Sequence, residues 1–155
     1  MPISPDRVPT ATDYDYLQIG NLVSLRDNFR QGVIELFLKR QLLESLRLDA
    51  STCPGASSPD GAFRFDMNRH VTMGQSMGAM YANLFGATSS ETQAVLPTGS
   101  GGYWSYFIFS TDLVPGAAQT LGLAVGVKPG ETLDVLHPVM GLFQQFIEKT
   151  DPIAF

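Results

Sequence analysis

The chemistry in this chain gathers at Gly74-Gln75-Ser76-Met77-Gly78. A Gly-x-Ser-x-Gly run does nucleophilic work when an extended strand turns abruptly into a helix at the serine. The hydroxyl is then left exposed on a strained backbone, and the positions two before and two after it are pressed together, so both favour glycine. The helix that starts there adds its N-terminal partial positive charge, and the amide of Met77 points where an oxyanion would form on an acyl group. The bare pattern is weak, since a chain with fifteen glycines produces it by chance about one time in ten. Its setting carries more. His70-Val71-Thr72-Met73 reads as a short buried strand ahead of it, and Met77, Met80, Tyr81 and Leu84 fall at helical spacing behind it. The competing reading is a glycine-rich strand-to-helix turn with an idle serine.

The elements that must position this bend extend on both sides. Residues 1–20, with Pro2, Pro5, Pro9 and Gly20, predict an irregular arm without periodic burial. From Asn21, a plausible N-cap, Leu22, Leu25, Phe29, Val33, Leu36 or Phe37 and Leu43 follow steps of three and four, which predicts a long amphipathic helix. Gly32 inside it costs up to ~1 kcal/mol relative to Ala, so its smallness points to a close contact. Residues 49–62 concentrate Pro, Gly and Ser and read as a surface loop. Gln93-Ala94-Val95-Leu96-Pro97 is a second short strand candidate. Strand, helix, strand at this spacing predicts an α/β chain: a small parallel sheet with helices on its faces. Residues 103–138 are expected to form a cap, and His137-Pro138 opens a last helix over residues 139–149, ended by Asp151-Pro152. The length of 155 residues suits one domain, 1–155, and no more.

Composition excludes several classes. A net charge of −5 with ten scattered basic residues is a poor match for nucleic acid, whose affinity comes largely from phosphate neutralisation. One Cys and two distant His cannot build a structural zinc site or an internal disulfide, and no cofactor is implied. The stretch 93–111 is broken by Pro97, Gly99, Gly101 and Gly102, where a membrane-spanning helix needs ~20 mostly apolar residues. The N-terminus lacks the basic start and apolar run of a secretory signal, which leaves the compartment open. Asp13 and Asp15 lie in the irregular arm and read as solvated rather than as a catalytic pair.

Thr98-Gly99-Ser100-Gly101-Gly102 follows the second strand on the same side as the bend. It lacks the Lys-Ser/Thr ending of a phosphate-binding loop. Two readings stay open for it: a loop lining an acyl site, or an ordinary turn. With Tyr103 and Trp104 behind it, Gly99 and Ser100 are the pocket candidates, while aromatic runs such as residues 103–109 are more often core.

On these residues the chain resembles the middle of an α/β-hydrolase of the bacterial serine esterase and lipase type. Arg26-Asp27-Asn28-Phe29-Arg30-Gln31 resembles the helix before the nucleophile strand, Phe65-Asp66-Met67-Asn68-Arg69 the lead into that strand, and Gly74-Gln75-Ser76-Met77-Gly78 the elbow, with Gln75 where many members carry His. The resemblance implies Ser76 as nucleophile on a small carboxylic ester and Met77 as one oxyanion amide. It also implies partners that the sequence does not display. The family's second oxyanion donor comes from an upstream glycine-rich loop, and its triad continues Ser, Asp or Glu, His. Downstream there is one His, His137, with Asp112, Glu131 and Asp134 before it. Asp134 and His137, three residues apart at a helix start, fit capping better than catalysis. Acid and base stay unassigned. The expectation is a partial domain without its early and terminal strands, with low or no activity. The alternative is a non-catalytic binding or oligomerisation module that associates through exposed sheet edges.

Overall fold

The structure, a computed structural model, describes residues 8–12 and 15–155. Asp13 and the first seven residues of the arm lie outside them. The long helix α1 spans Leu22–Ser45, and Asn21 caps it by accepting from the Ser24 amide at 3.1 Å. Two short strands follow, β1 (Leu48–Asp49) and β2 (Ala62–Phe63), paired antiparallel around a 3₁₀ turn. Residues 49–62 therefore hold a minimal hairpin inside what the composition reads as loop. Then come β3 (Val71–Gln75), α2 (Met77–Thr88) and β4 (Ala94–Thr98). The second half is helical: α3 (Trp104–Ser110), α4 (Ala117–Ala124) and α5 (Pro138–Ile147). Among the described residues no helix is long and apolar enough to cross a membrane.

β3 and β4 form a two-stranded parallel sheet, with Val71 opposite Ala94 and Gln75 opposite Thr98. The expected α/β character holds, but the helices do not cover both faces. α2 packs against both strands, and alternation places Thr72, Gly74 and Val95 on the same side as it. The opposite face carries Met73 at 75% exposure, Leu96 at 55% and Val71 at 48%. Parallel sheets are ordinarily covered on both faces, so this bare apolar side is the fold's anomaly.

The ladder also fixes which edge is open. The Ser76 amide donates to the Thr98 carbonyl at 2.9 Å, so the even-numbered residues of β3 turn their backbone groups toward β4 and Val71, Met73 and Gln75 turn theirs outward. By the same phase Pro97 directs its nitrogen away from β3. A proline there removes no ladder bond and blunts the outer edge of β4.

The core lies in the helical layer. Phe29 and Leu25 of α1 meet Met80 and Leu84 of α2, Trp104 and Ile108 of α3, and Met140, Phe143 and Ile147 of α5. The arm contributes rather than trailing: Tyr16, Leu17 and Ile19 are buried, and Asn28 donates to the Tyr16 carbonyl at 2.9 Å. Burying three large side chains outweighs the local lack of periodicity. Gly32 allows α1 and α2 to approach closely. A Cβ there would stand well inside van der Waals distance of the Tyr81 ring, which is itself stacked on Phe29 with centroids 5.0 Å apart. Gly32→Ala is therefore expected to lower urea stability by about 1–3 kcal/mol through overpacking. In a Tyr81→Leu background the same change should be neutral or stabilising, since Ala is the better helix former.

Candidate functional site

β3 becomes α2 with a single residue between them. Ser76 has φ 55° and ψ −123°, a positive-φ conformation for a residue with a side chain. Such strain costs on the order of 1–3 kcal/mol and persists where surrounding structure imposes it. Here the imposition is visible. The Ser76 amide is tied to β4, and its carbonyl accepts from the Ala79 and Met80 amides at 2.9 and 3.3 Å to start the helix. A serine in this position ordinarily caps the helix with its side chain; Ser76 makes no such bond. The half-buried hydroxyl is thus kept off the helix that follows it. The Met77 and Gly78 amides belong to the first turn, where the helix supplies no acceptor.

The two glycines of the motif are not equivalent. A Cβ on Gly74 would collide with the backbone carbonyl of Gly78 and the Ala79 amide. A Cβ on Gly78 would meet nothing within 4 Å. The expectation that both positions require glycine for close packing is corrected: the squeeze acts on Gly74 alone, because its missing side chain points into the first turn while that of Gly78 points to open space. Gln75 ends β3 with an exposed side chain.

A cavity of about 380 Å³ opens beside Ser76 and Met77. Gly99 and Ser100 line it from the loop after β4, and Trp104 from the first turn of α3. Ser100 is held by the Asn83 side-chain amide of α2, which donates to its Oγ at 2.9 Å. Leu17 from the arm and Val114 from the segment before α4 close other sides. None of the described lining residues carries a charge. Of the pocket candidates, Gly99, Ser100 and Trp104 come together with Ser76; Tyr103 does not. Tyr103 is the N-cap of α3 in a left-handed conformation, φ 57° and ψ 75°; the residue is 42% exposed, while its amide donates to the buried Asp151.

Sequence reasoning missed three contributors. Tyr16 and Leu17 form cavity wall, and the only signal for them is an apolar pair just ahead of the α1 cap. Asp151 is the third: it sits fully buried and receives the amides of Tyr103 and Trp104 at 2.8 and 2.9 Å. Tyr81, on α2, has its hydroxyl buried without a hydrogen-bond partner among the described residues, and burial pushes its phenol far above the usual range, with Tyr16 and Glu35 adding to the shift.

The acidic and imidazole candidates lie elsewhere. His137 caps α5, its Nδ1 accepting from the Val139 amide at 3.3 Å. Asp134 accepts from the Leu136 amide at 2.9 Å and Glu131 from the Lys128 amide at 2.9 Å. His70 precedes β3 and sets its ring edgewise on Phe85, centroids 5.9 Å apart. The strand puts it about 20 Å along the chain from Ser76. No family model, no curated protein and no solved structure matches this chain.

The asymmetry of the bend is measurable. Gly74→Ala should cost more than 2 kcal/mol or prevent folding, whereas Gly78→Ala, gaining helix propensity of up to ~1 kcal/mol without a clash, should leave the urea midpoint unchanged or raise it.

Proposed function

We propose that the chain carries the nucleophilic half of a serine ester hydrolase of the α/β-hydrolase type. The observation that carries the reading is Ser76: a strained, uncapped hydroxyl at a strand-to-helix bend, opening on an uncharged cavity. In this reading Ser76 Oγ attacks the carbonyl carbon of a carboxylic ester while the Met77 amide donates to the developing oxyanion. The α2 dipole supports that charge. The tetrahedral intermediate collapses with loss of the alcohol, and water releases the acid from the acyl-serine. The acyl chain occupies the cavity against Trp104, Leu17 and Val114, where water is displaced by apolar surface.

The proton on Ser76 needs an acceptor, and neither histidine lines the cavity: His70 packs on Phe85 and His137 caps α5. A serine without a base is a weak nucleophile, and loss of triad members costs several orders of magnitude in turnover. Hydrolysis by this chain is therefore slow. A fluorophosphonate, whose own reactivity lowers the demand on the base, is expected to label Ser76 in the folded protein and to fail on Ser76→Ala. Release of p-nitrophenol from a butyrate ester should be weak and should vanish in the same variant. A folded chain that never labels overturns the reading.

The bare face of the β3–β4 sheet favours a second reading, a binding or oligomerisation module that buries Val71, Met73 and Leu96 against another copy of the chain. Sedimentation at rising concentration tests it. Association that is lost in a Met73→Lys, Leu96→Lys double variant supports this reading, and a monomer at every concentration removes it.

A further inference from the structure

Asp151 follows the last helix and its 3₁₀ extension, yet it is completely buried. Dipoles meet its charge. Oδ1 accepts from the amides of Tyr103 at 2.8 Å and Ile153 at 3.2 Å; Oδ2 accepts from the Trp104 amide at 2.9 Å and from Gln144 Nε2 at 2.6 Å. Gln144 completes the clamp by taking the Ser105 amide on its Oε1 at 2.9 Å, and Ser105 Oγ donates to the Met140 carbonyl at 3.1 Å. The start of α3 is thus gripped by the end of the chain. Four hydrogen bonds converging on one carboxylate fix its position and that of the donors together.

What is gripped is the cavity wall. Trp104 is the first residue of α3, 2% exposed, with its indole edge-on to Phe29 at 5.2 Å and to Phe107 at 5.4 Å. Between it and β4 lie Gly99, Gly101 and Gly102, a stretch with little stiffness of its own. A Cβ on Gly102 would stand 3.6 Å from Asp151 Oδ1, so the loop passes directly over the carboxylate. We propose that Asp151 is the positioning residue of the cavity: by holding the Tyr103 and Trp104 amides it fixes how far the indole stands from Ser76, and so sets which acyl length the site accepts. The proposal rests on the ester-hydrolase reading for its activity readout and on binding alone for its second.

Asn at position 151 keeps the shape but replaces one acceptor oxygen with a donor, facing two amides that need acceptors. Trp104 is the chain's one tryptophan, so its emission reports the wall without any turnover. Quenching by methyl 8-bromooctanoate is expected to require about tenfold more ester in Asp151→Asn than in the native chain. The ratio of kcat/KM for p-nitrophenyl octanoate over acetate should fall about tenfold. Phe85→Leu, a core variant away from the cavity, lowers Tm but leaves both quantities as they were; a merely structural role for Asp151 would give that same pattern. Should Asp151→Asn fail to fold, Gln144→Met removes one of the four donors and is expected to shift both readouts about threefold in the same direction. Quench curves and ratios that superpose on the native ones overturn the proposal, as does an ester that leaves native Trp104 emission unchanged. Absent hydrolysis with an Asp151-dependent quench sinks the hydrolase reading alone; hydrolysis with an unchanged ratio and quench sinks the positioning role alone.

Discussion

The structure turns on a reversal made by one residue. β3 ends at Gln75 and α2 begins at Met77, so Ser76 alone must redirect the chain. Its amide finishes the ladder to β4 and its carbonyl starts the helix. Both backbone groups are committed, and the positive φ follows from satisfying them together. Gly74 is a consequence of that reversal, since the first turn of α2 folds back over the strand and leaves no room for a side chain. The hydroxyl of Ser76 takes no part in capping the helix, and Ser76 lines the cavity.

The cavity itself is a product of long-range assembly. Its walls come from the arm, from α1 through Phe29, from the bend, from the loop after β4 and from the segment beyond α3. No single stretch of sequence encloses it. The helical layer supplies rigidity through Phe29, which stacks on Tyr81 and meets the edge of Trp104. A buried carboxylate contributed from position 151 anchors the wall that no local sequence stiffens. Polar groups satisfied in the interior are costly to misplace, which suits Asp151 to defining one geometry rather than several.

How much of this is legible in the sequence follows from the range of the forces involved. α1, with Asn21 as its cap, and the order β3, bend, α2, β4 rest on local periodicity and capping; their starts stand within a residue or two of expectation, while α2 runs on to Thr88. The reason for Gly32 is legible as a close contact, though not its partner, because Tyr81 lies on another helix. The hairpin of β1 and β2 hides in a run of turn residues, its two-residue strands too short to show alternation. Tyr103 and Trp104 are neighbours that part company: a left-handed N-cap sends one ring to solvent and the next into the core, and a pattern of residue types does not encode a backbone sign. The burial of Tyr16 and Leu17 and the role of Asp151 depend on contacts across tens of residues. The bare sheet face belongs to the same class, because alternation in β3 and β4 says which side chains share a face and not whether anything covers it.

The open edge of β3 has a counterpart in how the strand meets solvent. Alternate peptide groups, those of Thr72, Gly74 and Ser76, are engaged with β4, while those of Val71, Met73 and Gln75 face outward. In deuterated water the strand would therefore label in a two-residue rhythm, odd positions fast and even positions slow. On the far side Pro97 offers no hydrogen to exchange at all. The two margins of this small sheet are chemically unlike: one is a row of donors and acceptors with no strand partner among the described residues, the other is interrupted at the place where a further strand would dock.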